Sequence, residues 1–175
     1  LAAKGEDIGE ASRGFIKKQG YAGFLQTAKP LLEKYGEKIV MPVDLAYVEN
    51  GTRGEAAVGG LPDDKMLVDI GAQTAANYRE TILNAKTVFV NGPMGIFEKK
   101  ETEFGTKAVW QALADTEGYT VVGGGDSVTA TNKYGLGPQI DYICTGGGAL
   151  IRFLSGEELP VVRALRYAAE AFPLD

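Results

Sequence analysis

The 175-residue chain is 45% hydrophobic and 23% charged, carries a formal net charge of −5, and contains one cysteine and no histidine. That length and apolar content suit one soluble domain with a sizeable core, and the acidic balance argues against a nucleic-acid groove or an anionic membrane surface. Without histidine or a cysteine cluster, the usual zinc sites, Ser-His-Asp or Cys-His nucleophiles and a disulfide framework are excluded; electrostatic stabilisation and a reducing, cytoplasmic setting are expected. No apolar run approaches a membrane span, and Leu1 to Gly9 carries Lys4, Glu6 and Asp7 where a signal peptide would be apolar, so neither anchor nor signal is expected.

In chain order, Phe15 to Tyr35 holds two helical patterns, with Phe24, Leu25, Ala28, Leu31, Leu32 and Tyr35 recurring at helical spacing before Gly36. Lys38 to Pro42 reads as a short buried strand, and Val43 to Val48 as a second extended piece. Glu49 to Glu55, with Asn50-Gly51 and Gly54, reads as a surface turn before Ala56 to Val58. Leu67 to Gly71 is a strand end or the loop after it; Ala72 to Leu83 is helical, with Thr74 as a candidate N-cap. Thr87 to Val90 is a buried strand running into the turn Asn91-Gly92-Pro93-Met94-Gly95 and the charged stretch Glu98 to Glu103, after which Thr106 to Ala114 is helical. Tyr119 to Val122 and Tyr142 to Cys144 are strands, each followed by glycines and then a helix, at Ser127 to Tyr134 and Ala149 to Leu154; Leu159 to Phe172 is a final helix. Alternating strands and helices predict an α/β domain of three layers, Rossmann-like, with a mainly parallel sheet flanked by helices and ligands beyond the carboxyl ends of the strands.

The runs Gly123-Gly-Gly-Asp-Ser127 and Thr145-Gly-Gly-Gly-Ala149 carry the chemistry. Three glycines leave no side chain between the backbone amides and an oxyanion, and a helix start adds unpaired N–H groups and a positive dipole end. A tight strand-to-helix turn alone needs only one or two glycines. Neither run fits G-x-x-x-x-G-K-[ST] or G-x-G-x-x-G, and no acidic ribose reader stands about twenty residues after either, which disfavours a dinucleotide redox site.

The full strings resemble phosphoglycerate kinase. Val90-Asn-Gly-Pro-Met-Gly-Ile-Phe-Glu98, Phe104-Gly-Thr106, Gly123-Gly-Gly-Asp-Ser127, Thr145-Gly-Gly-Gly-Ala149 and Leu159-Pro160 stand in that family's order, preceded by Leu1-Ala-Ala-Lys-Gly5, Met41-Pro-Val-Asp44 and Asp69-Ile-Gly71. The likeness covers almost the whole chain and lies within the family's C-terminal, nucleotide-binding domain, so residues 1–175 are read as that domain, incomplete at its N-terminal side. Cys144 stands where many members have serine and Val90 where many have tryptophan.

The resemblance implies roles for individual residues. Glu98 would accept the ribose hydroxyls, Asp126 would help hold the Mg2+ of Mg-ADP or Mg-ATP, and Ser127 would offer hydroxyl and amide to the phosphates with Gly123, Gly124 and Gly125. Gly146, Gly147 and Gly148 would face the transferring phosphoryl group. Asn91 and Pro93 would lie beside the nucleotide and Gly71 near the adenine. Met94, Ile96 and Phe97 read as core, Lys99, Lys100 and Lys107 as surface charge.

The resemblance also implies what this chain does not carry: the lobe that binds phosphoglycerate with a basic patch and an arginine, a catalytic lysine, and the opening strands of the nucleotide domain. The implied reaction is reversible phosphoryl transfer between 1,3-bisphosphoglycerate and ADP, giving 3-phosphoglycerate and ATP, with the isolated chain inactive and associated with the missing portion. An unpaired sheet edge is expected on that side. The alternative is a non-catalytic nucleotide-binding module or a subunit that another chain completes.

Overall fold

A computed structural model describes residues 1–173. Its elements are α1 (Glu10–Lys18), α2 (Phe24–Tyr35), β1 (Asp44–Glu49), β2 (Thr52–Ala57), β3 (Leu67–Ile70), α3 (Ala72–Leu83), β4 (Thr87–Asn91), α4 (Phe104–Asp115), β5 (Tyr119–Gly123), α5 (Gly125–Tyr134), β6 (Tyr142–Cys144), α6 (Gly147–Leu154) and α7 (Pro160–Ala171), with short 3-10 turns between several of them. None of the helices among the described residues is long and apolar enough to cross a membrane.

The strands form two three-stranded sheets. One is parallel, in the order β4-β5-β6, and is the Rossmann-like half; the other is antiparallel, in the order β2-β1-β3. The antiparallel half starts from Asn50-Gly51, where both residues take positive φ, 49° and 76°. That is the backbone of a type I′ turn, whose twist suits a two-residue hairpin, and it pairs Glu49 with Thr52 directly. The stretch expected to be a surface turn is therefore a tight hairpin, and most of it is strand β2.

Lys38 to Pro42, expected as a buried strand, is not one. Gly36–Lys38 forms a 3-10 turn, and Ile39 and Val40 are exposed, because no strand among the described residues pairs with them. Apolar, β-branched composition favours a strand only where a ladder partner supplies the hydrogen bonds and packing.

The core gathers α3, α4 and α5 against β3, β4 and β5: Ile70, Ala75, Ile82, Val90, Phe97, Val109, Trp110, Leu113, Val122 and Ala130 are buried together, with Met94 packed against them. Phe97 and Met94 thus belong to the core as expected. Trp110, fully buried, donates from Nε1 to the Thr131 hydroxyl at 2.8 Å, and that hydroxyl donates on to the Ser127 carbonyl at 2.9 Å. Every polar atom in this relay has a partner, so burying the indole leaves no unmet hydrogen bond and α5 is fixed against α4.

Candidate functional site

The register of the parallel sheet sets the site. Asn91 pairs with Gly123 and Gly123 with Cys144, so the carboxyl ends of β4, β5 and β6 stand level, and the loops leaving them share one edge. The two glycine runs meet there. A Cβ placed on Gly147 would fall 2.6 Å from Gly124 Cα, and one on Gly124 would fall 2.8 Å from the Asn91 side-chain oxygen. Gly124 also has φ +94°, which a side chain rarely tolerates. Gly123 is held by packing instead, since its Cβ would strike Leu150 and Phe89. Gly125 and Gly148, by contrast, face open space. Three of the glycines are therefore required by the fold, and two leave room beside the backbone for a ligand.

The helix starts differ in what satisfies them. At α1, Asp63 accepts from the Glu10 amide at 2.7 Å. At α3, Glu55 accepts from Ala72 at 3.0 Å, while the Asp44 carboxylate accepts from Gln73 at 3.0 Å and Thr74 at 2.7 Å. At α4, Asp69 accepts from Gly105 at 2.7 Å. At α5 and α6 the first intrahelical bonds run from Val128 to Gly124 and from Leu150 to Gly146, and no side chain among the described residues caps the amides before them. Free donors and the positive ends of two adjoining helices thus converge on the glycine edge, an arrangement that binds an oxyanion by charge and geometry together.

The expected site residues divide. Asn91, Gly124, Ser127 and Gly147 are brought together, with Gly92, Gly125, Asp126 and Gly146 beside them in the chain; Pro93 lies half-buried in the turn after β4. The Asp126 carboxylate is exposed in the first turn of α5 and has no hydrogen-bond or ion-pair partner among the described residues. The Ser127 hydroxyl is a correction. Expected to face the phosphates, it is fully buried and accepts from the Gly92 amide at 2.7 Å, so it ties the turn after β4 to α5. Only its backbone amide remains available at the helix start.

Gly71, expected near the adenine, stands at the N-cap of α3. It is buried, and a Cβ there would lie 2.2 Å from the Asp44 carboxyl carbon, so its neighbours belong to the antiparallel sheet and its lack of a side chain makes room for Asp44. Thr74 is not the N-cap of α3. Gly71 holds that position, while the Thr74 hydroxyl accepts from the Val43 and Asp44 amides and donates to Asp44. Burial pushes the Asp44 carboxyl up, but the bonds from Thr74 and Gln73 outweigh it and hold the group below the ordinary aspartate value.

Glu98 is exposed in the turn after Phe97, at the far end of α5 from the glycines. Its position shows in the Tyr134 phenol, which is pushed up to about 12 by burial first and then by the carboxylates of Glu103, Asp69 and Glu98. Two supporting residues had escaped notice in the sequence. Arg53 pairs with the buried Asp69 at 2.9 Å and donates to the Ile70 carbonyl at 2.7 Å, and Lys133 pairs with Glu103 at 2.6 Å. Burial moves the Asp69 carboxyl upward against the pull of the Gly105 amide and Arg53. Their partners lie 16 to 36 residues away, so no local spacing could reveal them.

A family model described as phosphoglycerate kinase matches residues 1–157. The chain belongs to the phosphoglycerate kinase family. Among curated relatives, the phosphoglycerate kinase of Thermoplasma volcanium is 42% identical over 98% of this chain, and that of Methanothermus fervidus 42% identical over 96%. The crystal structure of the phosphoglycerate kinase from Pyrococcus horikoshii OT3 matches 98% of the chain with a TM-score of 0.88 at 39% identity, and the structure of phosphoglycerate kinase from Coxiella burnetii matches 94% with a TM-score of 0.76 at 31% identity. The chain spans 41–42% of the length of these two curated relatives, and 43% and 46% of the two solved chains. It is a partial domain of α/β type within that family.

Proposed function

We propose that residues 1–175 are the C-terminal, nucleotide-binding part of a phosphoglycerate kinase, acting in reversible phosphoryl transfer between 1,3-bisphosphoglycerate and ADP to give 3-phosphoglycerate and ATP. The observation that carries this reading is the pair of adjoining helix starts, α5 and α6, that no carboxylate among the described residues satisfies. A polyphosphate supplies the negative charge that Asp63 supplies at α1, Asp44 and Glu55 at α3, and Asp69 at α4.

In this reading the amides of Gly125 to Ser127 hold the nucleotide phosphates, and those of Gly147 to Ala149 face the phosphoryl group in transit. Phosphoryl transfer rests mostly on alignment and charge neutralisation, and amides fixed before the reaction need no reorganisation during it. Asn91 and Pro93 flank the nucleotide, and Glu98 accepts from its ribose. Asp126, exposed beside the phosphate donors and without a partner among the described residues, fits Mg2+, which keeps most of its waters and is held by one or two carboxylates together with substrate phosphates. When bound, Mg2+ neutralises phosphate charge.

The family resemblance supports a reading in which phosphoglycerate binding and the cationic groups of catalysis belong to a lobe outside these 175 residues, and on that reading we expect the chain alone to bind Mg-ADP without turnover, in the cytoplasm. Calorimetric titration with Mg-ADP tests the reading: saturable binding that Asp126→Ala weakens supports it, and absence of binding overturns it. A second reading, a nucleotide-binding subunit completed by another chain, draws on the apolar side chains exposed on α2, α6 and α7, including Phe24, Phe153, Leu165 and Tyr167. Reunion with the N-terminal lobe of a family member separates the two: turnover dependent on 3-phosphoglycerate and ATP favours the kinase, and tighter nucleotide binding without turnover favours the subunit.

A further inference from the structure

The turn that carries Glu98 is anchored on every side while the Glu98 carboxylate itself is free. Phe97 is 4% exposed within the core, the Ile96 amide donates to the Val68 carbonyl at 3.0 Å, and the Thr102 hydroxyl donates to the Ile96 carbonyl. Glu98 is exposed and has no hydrogen-bond or ion-pair partner among the described residues.

One side chain closes this turn from both flanks. The Lys133 ammonium donates to the Phe97 carbonyl, just before Glu98, and pairs with Glu103 Oε2 at 2.6 Å, at the end of the charged run. An ammonium has three donors and no acceptor, so it satisfies a carbonyl and a carboxylate at once. The pair is partly sheltered, with 35% and 20% of the two side chains exposed, which makes it stronger than an ion pair in open water. Lys133 also stands in the last turn of α5, where the helix dipole favours a cation, and Asp126 stands in the first turn of the same helix. A ten-residue helix is a rigid spacer of about 15 Å. Lys133 is thus the bolt between that spacer and the turn bearing Glu98.

We propose that Lys133 is a positioning residue for nucleotide selection: it fixes the Glu98 carboxylate relative to the phosphate-binding start of α5, so that a nucleoside diphosphate held by the glycines meets Glu98 with its ribose hydroxyls. The inference rests on the nucleotide reading above and extends it to a residue that touches no ligand. It acts through the geometry of the Phe97–Thr102 turn, and its effect is confined to ligands that have ribose hydroxyls to present.

The test compares Mg-ADP with the Mg complex of 2′,3′-dideoxy-ADP, which lacks both hydroxyls, in titrations of the full chain. Lys133→Met is expected to weaken Mg-ADP by about tenfold, or ~1.4 kcal/mol, and to leave the dideoxy ligand unchanged. Lys133→Arg, which keeps the cation, should recover most of the loss, and Lys133→Met combined with Glu98→Gln should be no weaker than Glu98→Gln alone. Equal weakening of both ligands, or additive losses in the double variant, overturns the proposal and marks Lys133 as a general support of the fold. If Lys133→Met fails to fold by circular dichroism, Lys133→Gln, which retains donors without the charge, carries the same comparison. A wild-type chain that binds both ligands equally removes Glu98 from the ribose and overturns this inference alone, whereas a chain that binds neither overturns the nucleotide reading beneath it.

Discussion

The starts of α3 and α5 are built alike and finished differently. Each follows a strand, each has a glycine at the N-cap, and each presents a first turn of amides. At α3 the chain completes the site itself: Gly71 lacks a side chain so that Asp44 can enter, and Asp44 and Glu55 take the free donors. At α5, and at α6 beside it, Gly125 and Gly148 leave open space and no carboxylate among the described residues accepts from the free amides. A glycine at a helix start is therefore ambiguous in itself. The sign of its function lies in whether the chain supplies the anion or leaves that to a ligand.

Exchanging the two finishes gives the largest effects. Gly147→Val would drive a side chain into the Gly124 backbone, 2.6 Å from where its Cβ must lie, and should abolish Mg-ADP binding while costing about 1–3 kcal/mol of stability in urea unfolding. Gly148→Asp places a carboxylate at the open start of α6 at a position with room for it, so the fold should persist while Mg-ADP affinity falls at least about a hundredfold by calorimetry. The reverse change, Asp44→Ala, uncaps α3 and should lower stability by about 1–2 kcal/mol with Mg-ADP affinity unchanged. The smallest effect is in acid. Because the folded pKa of Asp44 lies below its ordinary 3.8, its stabilisation is present above that value and is lost as pH falls through the folded one. The stability gap between wild type and Asp44→Asn should therefore be level at neutral pH and narrow below pH 3.8.

Periodicity and turn chemistry made much of the fold legible in advance. Ala72–Leu83 is helical over its expected range, and the strands before both glycine runs lie where apolar residues cluster. Lys38 to Pro42 failed because a strand needs a partner, and none among the described residues is supplied. The second sheet was missed because Thr52–Ala57, with its glycine, arginine and glutamate, has little strand character of its own; the Asn50-Gly51 turn imposes the pairing. At the site, the glycines and Asp126 were visible as local strings. The carboxylate that fills the space beside Gly71 comes from Asp44, distant in sequence, and the burial of the Ser127 hydroxyl against Gly92 depends on the register of β4 and β5, so neither contact is legible in a local string. Lys133 bonds to a turn 36 residues upstream, a contact that no local spacing predicts.

The most direct test of the contrast between open and closed helix starts is to follow backbone amide resonances while Mg-ADP is added to the chain. The amides of Gly125, Asp126, Ser127, Gly147, Gly148 and Ala149 should shift strongly and saturate together, while those of Ala72, Gln73 and Thr74 stay in place. Shifts centred on the start of α3, or no saturable shifts at α5 and α6, would contradict the account.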